Sequence, residues 1–221
     1  MLLVSDPDGA ASALVRILAG LSRPRAGSIE IAGVGRSAGS GWGHRVAHLG
    51  PEPGIPRWMT PREALALSAR LADLPPDEAR TRIERAMTWA GIRPAAADRA
   101  VRHGGPPLVQ RTGLAAALIG DPEVLLLDEP MRALDTLERT RLLHLPGPRH
   151  TIVLASRYPA SEAGLVSHLA LLRNGRVALV AAIGELDRAG LPLSLRGITK
   201  LAESRAAEPR HGPGAPAPAI S

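Results

Sequence analysis

Four consecutive apolar residues at positions 124–127 end abruptly in Asp128 and Glu129. Such a run reads as a strand buried on both faces, as in a parallel sheet. Its end places two carboxylates at the carboxyl edge, where open α/β sheets bind their ligands. There an aspartate can hold Mg²⁺, usually through water, and the next glutamate can polarise an attacking water. The plain alternative is a strand that ends in solvated acids before Pro130. A second stretch, "SDPDGAAS" at residues 5–12, lies between a short apolar strand and a helix. That is the layout of a phosphate-binding loop, whose helix N-terminus offers free backbone N–H groups to an anion. The lysine that such a loop uses is missing, since Lys200 is the only lysine in the chain.

The elements that must carry these residues follow from periodicity. "LLV" at residues 2–4 predicts a strand, and residues 11–21 predict a helix with Val15, Leu18 and Ala19 on one face. "GSIEIAG" at 27–33 alternates as a half-buried strand does, residues 34–43 are a loop by composition, and 45–50 are another strand. "TPRE" from Thr60 supplies a cap, a proline at the first helical position and a glutamate at the third. A helix to about Leu71 follows, then a second with Ala79, Ile83, Ala86 and Ala90 on one face, stopped at Gly91. After the run at 124–127 comes a second buried strand, "TIVLAS" at 151–156, and then two strands about the Asn174-Gly175 turn. From Glu203 onward the sequence is rich in Pro, Ala and Gly and predicts a disordered tail. Buried strands alternating with helices predict an α/β fold with a mainly parallel sheet and helices on both faces. The expected division is a domain over residues 1–202, with a helical subdomain inserted at about 58–118, and the tail at 203–221.

Composition excludes several classes of function. The chain has 221 residues and no cysteine, so it offers no disulfide, thiolate or Cys-based zinc chemistry. The net charge of +6 comes almost wholly from arginines scattered among Ala, Gly and Pro. With no basic block, no Phe and one Tyr, stacking on bases has little to build on, and no nucleic-acid partner is expected. The N-terminus lacks the basic and apolar regions of a signal peptide. No apolar run approaches the ~20 residues of a membrane helix, so a role at a membrane requires another chain to supply the spans.

"RILAGLSRPRAGSIEIAG", "GDPEVLLLDEPMRALD" and "ALLRNGRVALVAAIGEL" resemble the ATP-binding subunits of ABC transporters, in that family's order and near its spacings. "LGPEPGIPRWMTPREALALSARLADLPPDEAR" is similar to the Q-loop and the start of the helical subdomain, and "RHGGPPLVQRTGLAAALIGDP" to the signature helix. The resemblance runs from Met1 to about Leu186. It implies ATP and Mg²⁺ as cofactors. Asp128 and the Ser12 hydroxyl would take the metal, and Glu129 the hydrolytic water. Gly9, Ala10, Ala11, Ser12 and Ala13 would form the phosphate loop. His103, Gly104 and Gly105 would be the signature that closes over a second subunit's nucleotide. It also implies a transmembrane permease subunit, a homo- or heterodimer with another ATP-binding subunit, and a cytoplasmic place at the inner face of the cell membrane.

The sequence departs from the family pattern at several of these positions. Ala11 stands where the lysine belongs, Pro51 at the Q-loop glutamine beside Glu52, Arg157 at the switch histidine and His103 at the signature serine. Asp6 and Asp8 bring charge that repels a triphosphate, and Arg16 and Lys200 are the candidates to replace the lost cation. Pro106 and Pro107 remove N–H donors and are expected to delay the signature helix. Family members carry strands before the loop, with an aromatic that stacks on adenine, whereas here the loop starts five residues in. Two readings remain: a subunit coupling ATP hydrolysis to transport, or a non-hydrolysing relative that docks on a membrane or twin subunit.

Overall fold

The structure, a computed structural model, describes residues 1–5, 9–31, 33–35, 44–142, 144 and 150–207. Asp6, Asp8 and most of the expected 34–43 loop lie outside these residues. Strand β1 (Leu2–Ser5) leads to helix α1 (Ala10–Leu18). The expected 27–33 strand is reduced to β2 (Glu30–Ile31), paired antiparallel with β3 (Val34–Gly35) in a small separate hairpin. β4 (Val46–Leu49), β5 (Val124–Asp128), β6 (Thr151–Ala155), β7 (His168–Arg173) and β8 (Arg176–Ala182) join β1 in one six-stranded sheet, ordered β4-β5-β6-β1-β7-β8. Every pair in it is parallel except β7 with β8. That antiparallel pair turns at Asn174 and Gly175, both with positive φ, the geometry an Asn-Gly turn favours.

All five residues of β5 are buried, as its uninterrupted apolar run predicts for a strand covered on both faces. Alternation sorts the strands' side chains between two cores. Leu125 and Leu127 join Leu2, Leu154, Leu169 and Ile198 on one face. Val124 and Leu126 join Leu3, Ala155, Ala170 and the α1 residues Ala11 and Val15 on the other. Helix α1 therefore lies on the face toward which Asp128, two residues beyond Leu126, also points.

The helical insert comprises α2 (Pro61–Leu71), α3 (Pro76–Trp89), the short α4 (Pro94–Ala97) and α5 (Gly105–Leu118). Thr60 caps α2 with a reciprocal capping box: its hydroxyl accepts from the Glu63 N–H, and the Glu63 carboxylate accepts from the Thr60 N–H. Leu65, Ile83, Met87, Ile92, Leu108 and Ile119 form a core belonging to this insert. Pro106 and Pro107 do not delay α5, which starts at Gly105 and holds both prolines in its first turn. There an N–H has no intrahelical acceptor to lose.

Helices α6 (Thr136–Leu142), α7 (Pro159–Glu162), α8 (Ile183–Arg188) and α9 (Leu195–Ala207) complete the chain. The expected tail boundary at 203 is too early, because α9 continues through Ala207. Ile198 and Leu201 bury it against the sheet, Glu203 pairs with Arg173 at 3.6 Å, and Arg205 pairs with Glu185. The rest of the expected tail lies outside the described residues. Among the described residues, no helix is long and apolar enough to cross a membrane.

Candidate nucleotide site

The site stands at the carboxyl edge of β5 and β6, against the N-terminus of α1. Gly9 precedes that helix at φ 73 and ψ 15, a left-handed conformation that costs a side-chain-bearing residue and suits glycine. The Ser12 hydroxyl donates to the Asp128 carboxylate at 2.9 Å. The contact joins residues far apart in sequence, and it unites the loop with the acid end of the strand. Asp128 is 3% exposed. A buried carboxylate beside a hydroxyl is a pair of hard oxygen donors, the type that binds Mg²⁺. Ser12 and Asp128 therefore fit the ion that a nucleotide carries.

Glu129 adopts φ 51, a left-handed backbone that is unusual for a non-glycine residue. Its N–H donates to the Ala155 carbonyl at 2.9 Å, which anchors the turn to β6. Its side chain is largely buried and is already engaged. Glu129 Oε1 accepts from the backbone N–H of Arg157 at 2.9 Å and from its Nε at 3.2 Å. Arg157, at the switch-histidine position, thus lies on the carboxylate. The Arg157 side chain remains 68% exposed.

The loop side carries alanine at positions 10, 11 and 13. Ala11 is 5% exposed and packs with Val15 and Leu3 in the core beneath α1. Its N–H donates to the Ser5 hydroxyl at 3.3 Å, so a donor that could meet a phosphate has an internal acceptor. Ala10 is half-buried and Ala13 exposed. Neither candidate cation replaces the missing one. Arg16 is exposed a turn further along α1, and Lys200 is exposed on α9, whose buried residues belong to the core on the opposite face of the sheet.

The signature residues stand apart from this centre. His103 ends a single 3₁₀ turn before α5, and Gly104 and Gly105 follow it. A Cβ at Gly104 would come within 2.3 Å of the Leu108 side chain, so the glycine is required by the helix's own first turn. Gly105 lines a cleft of about 620 Å³ together with Pro51, Glu52, Arg57, Arg102 and Arg132. Gln110, 2% exposed, donates to the Pro130 carbonyl at 2.8 Å and so ties α5 to the turn that follows Glu129.

Three participants were not legible in the sequence. Ser5 ends strand β1 without a motif to mark it. His48 on β4 pairs in register with Leu126, and its buried Nε2 has no hydrogen-bond partner. Burial pushes its imidazole below the ordinary value, the Asp128 charge opposes this, and Arg16 adds to it. Ser156 donates to Glu162 Oε2 at 2.8 Å just behind Arg157. No residue pattern announces that contact, because α7 is a single turn.

The family described as "ABC transporter" matches residues 11–132. The chain is 32% identical over 187 residues to the uncharacterized ABC transporter ATP-binding protein all4389 of Nostoc sp., covering 81% of this chain and 55% of that protein. It is also 32% identical to the aliphatic sulfonates import ATP-binding protein SsuB of Corynebacterium glutamicum, covering 79% of this chain and 69% of that one. The chain thus spans about half the length of the first of these relatives and over two thirds of the second. A solved ATP-binding subunit of an ABC transporter superposes with a TM-score of 0.77 at 22% identity, over 91% of this chain and 88% of that one. The sheet order, the inserted helices, the Ser12–Asp128 junction and these relatives lead to one conclusion: the chain belongs to the ABC transporter family, with the fold of its ATP-binding cassette.

Proposed function

We propose that the chain is the ATP-binding subunit of an ABC transporter, a nucleotide-responsive partner of a separate membrane-spanning permease at the inner face of the cell membrane. It would pair with a second cassette, identical or not. The observation that carries this reading is the Ser12–Asp128 hydrogen bond at 2.9 Å, which joins the start of α1 to the carboxylate that would take the metal. Mg²⁺ bound there would neutralise phosphate charge. Asp128 and Ser12 would hold it, the N-terminus of α1 would face the phosphates, and Gly9 would turn the chain into the helix. The signature residues His103, Gly104 and Gly105 would meet the nucleotide of the second cassette.

A specific pair of contacts favours the non-hydrolysing form of this function. Glu129, the residue that would polarise water, is held by both the backbone and the guanidinium of Arg157. Its Oε1 therefore already accepts two hydrogen bonds, in the place where a hydrolytic water would have to donate. The loop meanwhile lacks the cation that offsets phosphate charge, a charge-assisted bond worth about 1.5–3 kcal/mol. We expect weak MgATP binding and negligible turnover from the isolated chain. Calorimetry with MgATP and a phosphate-release assay test both expectations. Micromolar affinity, or turnover that disappears in Glu129→Gln, would overturn them.

A further inference from the structure

Glu162, the last residue of α7, is 2% exposed, and the nucleotide chemistry does not require it. Its Oε2 accepts from the Ser156 hydroxyl at 2.8 Å, and the same hydroxyl oxygen accepts from the Tyr158 N–H at 2.9 Å. Between Ser156 and Tyr158 stands Arg157, whose N–H and Nε rest on Glu129. A continuous set of hydrogen bonds therefore runs from a buried carboxyl group, through one serine, to the turn that covers Glu129.

The charged groups around Glu162 come from several elements. Glu129, after β5, faces it with a like charge, and Arg139 of α6 faces it with an opposite one. Strand β1 also packs against α7 and brings Leu2, Leu3, Val4 and Ser5, none of which titrates in this range. Burial is the largest influence and pushes the Glu162 carboxyl up to about 7. The Ser156 hydrogen bond lowers it, Glu129 raises it and Arg139 lowers it, in decreasing order.

We propose that Glu162 is a protonation-controlled latch on the Arg157 turn: neutral, it keeps the turn closed over Glu129, and ionised, it opens it. Glu162 is a positioning residue, acting through Ser156 and the backbone of residues 156–158. In the closed turn it keeps its proton to about pH 7, whereas a solvated glutamate releases it near 4.5. The closed form thus binds the proton more tightly than the open one. Its advantage is complete below about pH 4.5, falls as pH rises toward 7, and changes no further above that.

The latch rests on the reading of Glu129 as the site's carboxylate only for its consequence. Its test needs no nucleotide, so the two readings fail separately. Amide hydrogen exchange of the full chain, corrected for intrinsic rates, reads the opening of Arg157 and Tyr158 directly. Their protection should fall at least about tenfold between pH 5 and 7.5 in the native sequence. In Glu162→Gln, which cannot ionise, it should stay flat. In Ser156→Ala the step should vanish from Tyr158, because the hydroxyl that links it to Glu162 is gone. Flat protection in the native chain, or a step that survives in Glu162→Gln, overturns the latch. Carboxyl-carbon NMR of the unaltered chain reads the titration without a variant, and a Glu162 midpoint near 4.5 would equally dispose of it.

Discussion

The acid side and the loop side of the candidate site are built from unlike materials. Asp128 ends a fully buried strand in register with Ala155 of β6, and Glu129 follows in a turn anchored by its N–H on the Ala155 carbonyl. On the loop side, positions 10, 11 and 13 carry alanine, and Ser12 is the one hydroxyl in the series and the residue that reaches Asp128. The sheet needs the apolar residues that deliver the acids, so packing supports that half of the site. Nothing in the packing calls for a cation at position 11, where an alanine fills the core beneath α1. The two sides thus differ because one is tied to the fold and the other depends on the ligand alone.

The largest test of that contrast is Ala11→Lys. If the loop side limits binding, MgATP affinity by calorimetry should rise about 10- to 100-fold, the span of one charge-assisted bond. No gain in a variant whose unfolding midpoint matches the native chain would mean that the acid side is also impaired. Turnover should still be low, because Arg157 continues to occupy Glu129. The combination Ala11→Lys with Arg157→His should gain turnover that neither change gives singly.

Next in size is Asp128→Asn, which keeps the shape of the acid side and removes its charge. The ratio of ATP affinities with and without Mg²⁺ should collapse toward one, whatever the loop carries. A ratio that persists would move the metal away from Asp128.

Thr60→Ala serves as the control outside both sides. Loss of the capping box on α2 should cost about 1 kcal/mol of stability in denaturant unfolding and leave nucleotide affinity alone. Smallest is Arg157→Ala. The Arg157 side chain is 68% exposed, and pairs of that kind contribute under about 1 kcal/mol. Stability should hardly move, and any effect should appear in how readily Glu129 takes part in chemistry.

Much of this contrast could be read from residue order. The run at 124–127 announced both its burial and its acid end, the Thr60 box announced α2, and Asn174-Gly175 announced the hairpin. Each of these signals is local. What escaped depends on contacts between distant segments. The strand order, the packing that carries α9 to Ala207, and the placing of His48 beside β5 arise from elements brought together by the sheet, whereas the Ser5 and Glu162 contacts each span only six residues and escaped because no motif marks them. Pro106 and Pro107 misled for a different reason: a proline is costly inside a helix and harmless in its first turn. Arg157 was legible as a departure from the family pattern, yet its resting place on Glu129 was not, since the left-handed turn at Glu129 leaves no mark in residue type.

Helix α5 has one more consequence. It turns Leu114 toward the sheet, and Leu108, Ala115 and Ile119 toward the helical insert, so it is a wall common to two interiors. Trp89 packs against both as well. At Gly113 the wall has no slack, for a single added carbon would stand 2.7 Å from Pro53 and 2.8 Å from Leu49. Any side chain there would act as a wedge, prising the insert from the sheet and turning α5 into a lever whose far arm ends, through Gln110, at the turn carrying Glu129.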